Sequence, residues 1–234
     1  MNEKTFIEEI KKIGINPTQE QLEQLEKYYE LLIEWNEKIN LTAITEKKSV
    51  YLKHFYDSLT LNKIVDLSKI NTLCDIGTGA GFPGIVLKIF FPNINMTLVD
   101  ALNKRINFLS LVVKELKLKN IELIHSRIEE YGKRNREKLD IVTARAVTKL
   151  PTLLEYSIPL LKVNGYFVPL KGEVDEELII SQNAFKELNC NLEDKLSFKL
   201  PIENSIRNIL KIKKIKETSL KYPRLNKLIK NNPL

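Results

Sequence analysis

Four of the chain's eight glycines fall within eight residues, in the segment Cys74-Asp75-Ile76-Gly77-Thr78-Gly79-Ala80-Gly81-Phe82-Pro83-Gly84. A short β-rich run (71–76) leads into them and a helical segment near 84–90 leads away. Glycines admit positive φ and, lacking Cβ atoms, let a ligand lie against the main chain. A turn of this kind between a strand and a helix belongs at the carboxyl end of a parallel sheet. There, where the strand order reverses, open α/β folds bind their ligands.

The chain beyond residue 70 fits that placement. Runs rich in β-formers at 71–76, 96–100, 121–125, 140–144 and 165–170 alternate with amphipathic segments near 84–90, 104–117, 127–132, 150–161 and 175–188. The alternation predicts βαβ units and a parallel α/β sheet of Rossmann-like type, with helices on both faces. The last two runs, 195–200 and 207–215, have no helix between them and predict an antiparallel pair closing one edge.

Residues 1–65 have helical periodicity instead. Phe6, Ile7, Ile10 and Ile13 share a face that Gly14 ends. Thr18 and Gln21 form a capping box for a second helix lined by Leu22, Leu25, Tyr29 and Leu32. A third helical stretch, from Val50 to Ile64, carries Leu52, Phe55, Leu59 and Leu61. The expected organisation is a helical N-terminal extension (1–65) packed on the body, a cofactor-binding domain (66–218) and a basic tail (219–234).

Charge separates along the chain. The formal net charge is +7, but residues 195–234 alone carry +9, from eleven Lys or Arg against Glu203 and Glu217. A basic end on a near-neutral body suits a polyanionic partner, nucleic acid first, although a lysine-rich solvated face has the same composition. Two cysteines and two histidines give no basis for a disulfide framework or a metal centre. Met1 to Phe6 lacks the layout of a signal peptide, and no apolar run approaches the roughly 20 residues that span a bilayer. The expected setting is cytoplasmic.

Gly79-Ala80-Gly81-Phe82-Pro83-Gly84 reads literally as G-x-G-x-x-G, the dinucleotide fingerprint, so a nicotinamide oxidoreductase stands as the alternative reading. Two features favour S-adenosylmethionine. A carboxylate at Asp75 suits the cationic methionine end of that cofactor and would repel a pyrophosphate. The glycine-bearing strand also begins about 70 residues into the chain, behind helices, whereas nicotinamide domains often begin with it. Asp100, 23 residues after Gly77, closes the second strand where a carboxylate accepts from ribose hydroxyls.

Further segments run in one family's order from about residue 35 to 224: Trp35-Asn36-Glu37-Lys38-Ile39-Asn40-Leu41-Thr42-Ala43-Ile44, His54-Phe55-Tyr56-Asp57-Ser58-Leu59, the glycine turn with Phe82-Pro83-Gly84, Lys104-Arg105-Ile106-Asn107-Phe108-Leu109, Ser126-Arg127-Ile128-Glu129-Glu130, Arg145-Ala146-Val147, Leu170-Lys171-Gly172 and Lys221-Tyr222-Pro223-Arg224. Together they resemble the bacterial small-subunit (16S) ribosomal RNA guanine-N7 methyltransferases, the glucose-inhibited division protein B family. Asp100 stands where many relatives carry Glu, Ile128 where a small residue is common, and the glycine and proline that often follow Arg224 are missing.

The resemblance implies a class I methyltransferase that moves a methyl group from S-adenosylmethionine to N7 of a guanine in 16S ribosomal RNA. N7 presents an in-plane lone pair and no proton, so positioning and electrostatics suffice, with neither general base nor covalent nucleophile. The chain accordingly lacks the Asn/Asp-Pro-Pro-aromatic segment of exocyclic-amine methylation, and Cys74 suits a buried strand. By resemblance, Gly77, Phe82, Ile128, Glu129 and Arg145 line the cofactor pocket, completed by Asp75, Gly79, Gly81 and Asp100.

Arg145 and Lys171, each at a strand's carboxyl end, are the candidate positioning residues. Arg127, Lys171, Lys221 and Arg224 are the candidate RNA contacts, and His54 and Asp57, three apart on a helix, either pair with each other or contact RNA. The implied partner is 16S ribosomal RNA or the small ribosomal subunit, met by a monomer without metal. A non-enzymatic RNA-binding assembly factor that keeps the cofactor fold remains the second alternative.

Overall fold

The computed structural model describes residues 1–234, and its eight strands form one sheet. β1 (Thr72–Ile76), β2 (Asn95–Asp100), β3 (Ile121–His125), β4 (Leu139–Thr143) and β5 (Leu161–Phe167) are parallel in the order β3-β2-β1-β4-β5. The order reverses beside β1, because β2 lies on one side of it and β4 on the other. Residues 73–76 of β1 are buried, as a central parallel strand covered on both faces requires.

Three further strands close the edge: β6 (Leu170–Lys171), β7 (Cys190–Lys199) and β8 (Ile206–Lys214). β7 pairs along one side of β8, leaving β5 and β6 to share the other, both antiparallel to it. Pro169 has no amide to donate and interrupts what is otherwise one strand. Val168 and Leu170 still donate to Val142 and Ala144 at 2.8 and 3.0 Å. The expected antiparallel pair is present, and its first strand begins earlier, at Cys190.

Helices α1 (Glu3–Lys12), α2 (Gln19–Ile39), α3 (Lys47–Val50) and α4 (Asp57–Leu59) precede the sheet. A π-helical turn, Tyr51–Tyr56, joins α3 to α4. The capping box on α2 is formed in both directions: Thr18 Oγ1 accepts from Gln21 N at 3.2 Å, and Gln21 Oε1 from Thr18 N at 3.0 Å. Beyond β1 follow α5 (Gly84–Phe90), α6 (Asn103–Glu115), α7 (Ile128–Arg134), α8 (Leu150–Ser157), α9 (Asp175–Ile180), α10 (Gln182–Glu187) and α11 (Asn226–Asn231).

Side chains alternate across the sheet into two cores. Leu73, Met96, Leu98 and Ile141 join one that takes in α5 and α6 and, packed over these, Phe6, Ile10, Leu25, Leu32 and Phe55 of the N-terminal segment. Cys74, Val99, Val142 and Phe167 join the other, under α7, α8 and α11. No helix is long and apolar enough to cross a membrane.

Several expected boundaries move for local reasons. The segment 150–161 leaves the α-helix at Ser157, because Pro159 cannot donate back to residue 155. The segment 175–188 breaks at Ser181, whose hydroxyl donates to the Glu177 carbonyl four residues earlier at 2.6 Å. On α2 the fully buried tyrosine is Tyr28, whereas Tyr29 is half-buried. Residues 219–234 lie against the body, with Tyr222 and Ile229 buried and α11 packed on α8.

A candidate cofactor cradle and acceptor cleft

The glycine turn folds over the end of β2, Gly77 N and Thr78 N both donating to the Val99 carbonyl at 2.8 and 3.1 Å. Gly77, Gly79 and Gly81 hold φ of +66°, +62° and +99°, the left-handed region where a side chain is strained. Their surroundings differ. A Cβ on Gly77 would stand 2.7 Å from Val147, and one on Gly81 2.6 Å from Ile85 and 2.8 Å from the Tyr28 hydroxyl. A Cβ on Gly79 would meet nothing nearer than the Gly77 carbonyl at 4.0 Å. Gly77 and Gly81 are therefore packing glycines, and Gly79 is the one that opens onto free space.

Two carboxylates brace the turn. Asp75, fully buried, accepts through Oδ2 from the Thr78 hydroxyl at 2.7 Å and from Gly84 N at 2.9 Å, while its Oδ1 has no partner. Burial pushes its carboxyl up to about 7, with the nearby Asp100 charge adding to the rise; the two hydrogen bonds and the Arg145 charge oppose it. A buried orphan oxygen at the base of the turn suits a ligand group that is cationic or donates hydrogen bonds.

Asp100 accepts from Gly79 N at 2.9 Å and Arg105 Nη1 at 3.2 Å through Oδ2, and from Leu102 N at 2.9 Å through Oδ1. Two carboxylate oxygens offer about four lone-pair sites, so capacity for a hydroxyl remains. Ser126 N donates to the Asp100 carbonyl at 3.1 Å, which sets the start of α7 beside it. There Ile128 is half-buried and Glu129 buried, while Arg127 points to solvent.

Tyr28 is a site residue that the sequence reading missed. Its hydroxyl donates to the Ala80 carbonyl, and its ring lies 5.4 Å from Phe82 and 5.7 Å from Phe55 between centroids. Burial pushes the phenol well above its usual range, so it remains a donor. Phe82 continues the chain of contacts by stacking on His54 at 4.4 Å, with the Arg145 guanidinium 5.2 Å from its ring centroid.

Arg145 leaves the end of β4 and reaches back to the π-helical turn. Its Nη1 donates to the Lys53 carbonyl at 2.8 Å and to Asp57 Oδ2 at 3.2 Å, and Nη2 meets His54 Nδ1 at 3.0 Å. A guanidinium only donates, so His54 Nδ1 carries the lone pair and Nε2 the proton, which goes to Thr42 Oγ1 at 2.9 Å. Burial, reinforced by the Arg145 charge, pushes the imidazole down to about 3. Asp57 Oδ1 meanwhile accepts from Arg207 Nε at 3.0 Å. His54 and Asp57 thus do not pair with each other, as their spacing suggested; the π turn aims both at Arg145.

Beside this network lies a cleft of about 360 Å³ whose lining includes Lys53, Arg145, Ala146, Lys171 and Arg207. Lys171 is held at its wall by Glu177 at 2.8 Å and the Thr148 carbonyl at 3.0 Å. Ala146 lines the cleft and the adjacent Val147 packs on Gly77, so cradle and cleft are neighbours.

The remaining candidates lie elsewhere. Arg127 projects from the β3 end, and the exposed Lys221 pairs with Glu187 at 2.9 Å. Arg224, expected as an RNA contact, instead binds the fully buried Glu155 by its backbone amide, Nε and Nη2 at 2.8, 2.9 and 2.7 Å. A long-range tie of this kind leaves no mark in composition.

Comparison with known proteins agrees with this geometry. Residues 21–206 match the family model described as GidB, rRNA small subunit methyltransferase G. Ribosomal RNA small subunit methyltransferase G of Bacillus subtilis (strain 168) is 53% identical over 227 residues, covering 96% of this chain and 95% of its own. Among solved structures, the fold resembles M. jannaschii TYW2 in complex with AdoMet, with a TM-score of 0.52 and 16% identity over 64% of this chain and 74% of that one. It also resembles a mutant form of the 16S rRNA (adenine(1408)-N(1))-methyltransferase from Catenulisporales acidiphilia, with a TM-score of 0.54 and 13% identity over 68% of this chain and 91% of that one.

Proposed function

This chain belongs to the GidB family, rRNA small subunit methyltransferase G, and from that premise we propose how its own residues carry out the reaction. It is an S-adenosylmethionine-dependent methyltransferase of small-subunit ribosomal RNA, and its acceptor is N7 of a guanine, methylated by direct in-line transfer. The observation that carries this reading is the orphaned Asp75 Oδ1 at the base of a turn whose Gly79 is open and held by Asp100, beside a cleft lined by four cationic side chains.

S-adenosylmethionine, when bound, supplies a methyl group on a cationic sulfur. Asp75 receives the cationic methionine end, Gly79 gives main-chain surface without a Cβ, and Asp100 accepts from the ribose hydroxyls. Ile128 and Glu129 form the far wall beside Asp100, Gly77 and Gly81 shape the turn, and Phe82 fills the floor between cradle and cleft. Arg145 closes the near side, where it orients the cofactor end or an acceptor phosphate. Lys171 and Arg207 hold phosphates flanking an extruded guanine, and Arg127 and Lys221 contact RNA farther out.

Of the four carboxyl and imidazole groups lining the cleft, three are already engaged, His54 with Arg145 and Thr42, Asp57 with two arginines, and Glu177 with Lys171 and Leu150 N, while the fourth, Glu173, is exposed. That suits an acceptor lone pair with no proton to remove. Cys74 is fully buried, its thiol pushed well above the usual range, and this disfavours a covalent route.

Titration calorimetry with S-adenosylmethionine and with NAD tests the cofactor. Binding of the first alone is expected, and binding of NAD alone would overturn the reading. Arg145→Ala is expected to abolish most transfer while RNA binding persists.

A further inference from the structure

The last part of the chain ties down the helix that begins at the cofactor's far wall. α7 is seven residues long and has no side-chain N-cap, so its placement depends on packing. Its start carries Ile128 and Glu129. Its other end is held by residues 218–224: the Pro223 ring lies against Gly132, so that a Cβ there would stand 3.2 Å from Pro223 Cγ. Arg136, two residues past the helix, donates to the carbonyls of Thr218, Ser219 and Tyr222.

This strap is anchored at both ends, with Thr218 N donating to Glu137 Oε1 at 3.1 Å at the first. Tyr222 donates its hydroxyl to Glu187 at 2.7 Å on α10, and Arg224 makes its three bonds to Glu155 on α8. α8 in turn packs against α7, and the carbonyl of Tyr156, next to Glu155 in sequence, lies 3.9 Å from where a Cβ on Gly132 would stand. Arg224 also donates from Nη2 to the Asn232 carbonyl at 3.0 Å, so both Nε and Nη2 of its guanidinium are engaged within the chain.

We propose that Arg224 is a positioning residue for S-adenosylmethionine, which fixes Glu129 at the cofactor wall by clamping residues 218–224 across α7 and α8, and that it does not contact RNA. The inference rests on the reading of Ile128 and Glu129 as that wall.

The test measures S-adenosylmethionine binding by calorimetry, and the steady-state KM and kcat, on the full chain. Glu155→Gln/Arg224→Ala frees the strap without burying a lone charge; Arg224→Lys keeps the backbone bond and a positive charge. The double variant is expected to weaken cofactor binding roughly tenfold and to raise its KM equally. Its kcat at saturating cofactor, its RNA affinity and the salt slope of that affinity remain unchanged. Arg224→Lys recovers part of the loss.

Unchanged cofactor affinity with a lowered melting temperature would mark the tie as merely structural and overturn the proposal. A salt slope reduced by about one in the double variant would place Arg224 on RNA and also overturn it. Glu129→Gln separates the two levels. If it binds cofactor as the parent does, the wall reading fails and takes the inference with it; if it binds weakly while the strap variants bind normally, the inference alone fails.

Discussion

Arg145 Nη2 donates to His54 Nδ1 at 3.0 Å, which makes the imidazole an acceptor held neutral in the fold. With a folded-state pKa lowered to about 3 from 6.5, His54 takes up a proton more readily when the chain unfolds. Its contribution to stability is full above 6.5 and is lost as pH falls toward 3, by up to about 1.4 kcal/mol per pH unit. Thermal melts at pH 7 and 5 are expected to show a smaller acid loss in His54→Gln than in the parent. An equal loss would contradict the assignment.

Asp57 holds Arg145 and Arg207 through its two oxygens. Asp57→Asn removes the charge that fixes both guanidinium groups with little change in shape. Transfer at saturating substrates is expected to fall by about 10²-fold, the scale of a misplacement near 1 Å. Single-turnover kinetics check this; a rate within twofold of the parent would show that the pairing does not position the reacting groups.

Asp75 titrates at about 7 because of its burial, and a cationic ligand favours its ionised form. S-adenosylmethionine affinity should therefore rise with pH up to about 7 and level off above it, with a limiting slope of about tenfold per unit below 7. The same raised pKa withdraws stability from the cofactor-free chain as pH rises from 3.8 toward 7. Asp75→Asn is expected to flatten both dependences. Calorimetry between pH 6 and 8, in buffers of different ionisation enthalpy, measures the released proton.

The glycines of the turn are expected to respond differently. Gly79→Ala meets no neighbour and carries only the strain of its φ of +62°, about 1 kcal/mol, yet it occupies the ligand's space. Gly77→Ala adds a collision with Val147 to the same backbone strain. Val147→Ala should therefore restore part of the stability lost in Gly77→Ala and none of the binding lost in Gly79→Ala. Denaturant unfolding and cofactor titration of the four variants decide this.

Tyr28→Phe removes the donor to the buried Ala80 carbonyl behind the turn. A loss of about 1–3 kcal/mol in stability is expected, the cost of a buried acceptor left without a partner, together with weaker cofactor binding. Unchanged affinity would mean that Tyr28 supports the core and not the cradle.

The legible parts of this site are those fixed over short distances in sequence. The strand–glycine–helix order, Asp75 before the turn and Asp100 at the next strand end all follow from local chemistry and βαβ geometry. Tyr28 was not legible, because adjacent tyrosines on α2 differ by one helical step and only the packed sheet shows which is buried. The π turn had no signal either, so His54 and Asp57 looked like partners of each other. Charge counting resolved the carboxyl end least: Lys214 is fully buried against Glu137, Arg224 is tied to Glu155, and Lys195 and Lys211 are in ion pairs, while Arg207 lines the cleft. Composition cannot distinguish an internal tie from a polyanion-binding face.

The most direct test of the account is a nucleotide map of N7-methylguanine in small-subunit ribosomal RNA after incubation with S-adenosylmethionine and the protein, the parent beside Arg145→Ala and Asp75→Asn. The expected result is one modified guanine with the parent and little or none with either variant. Methylation at another atom or base, or an undiminished signal in both variants, would contradict it.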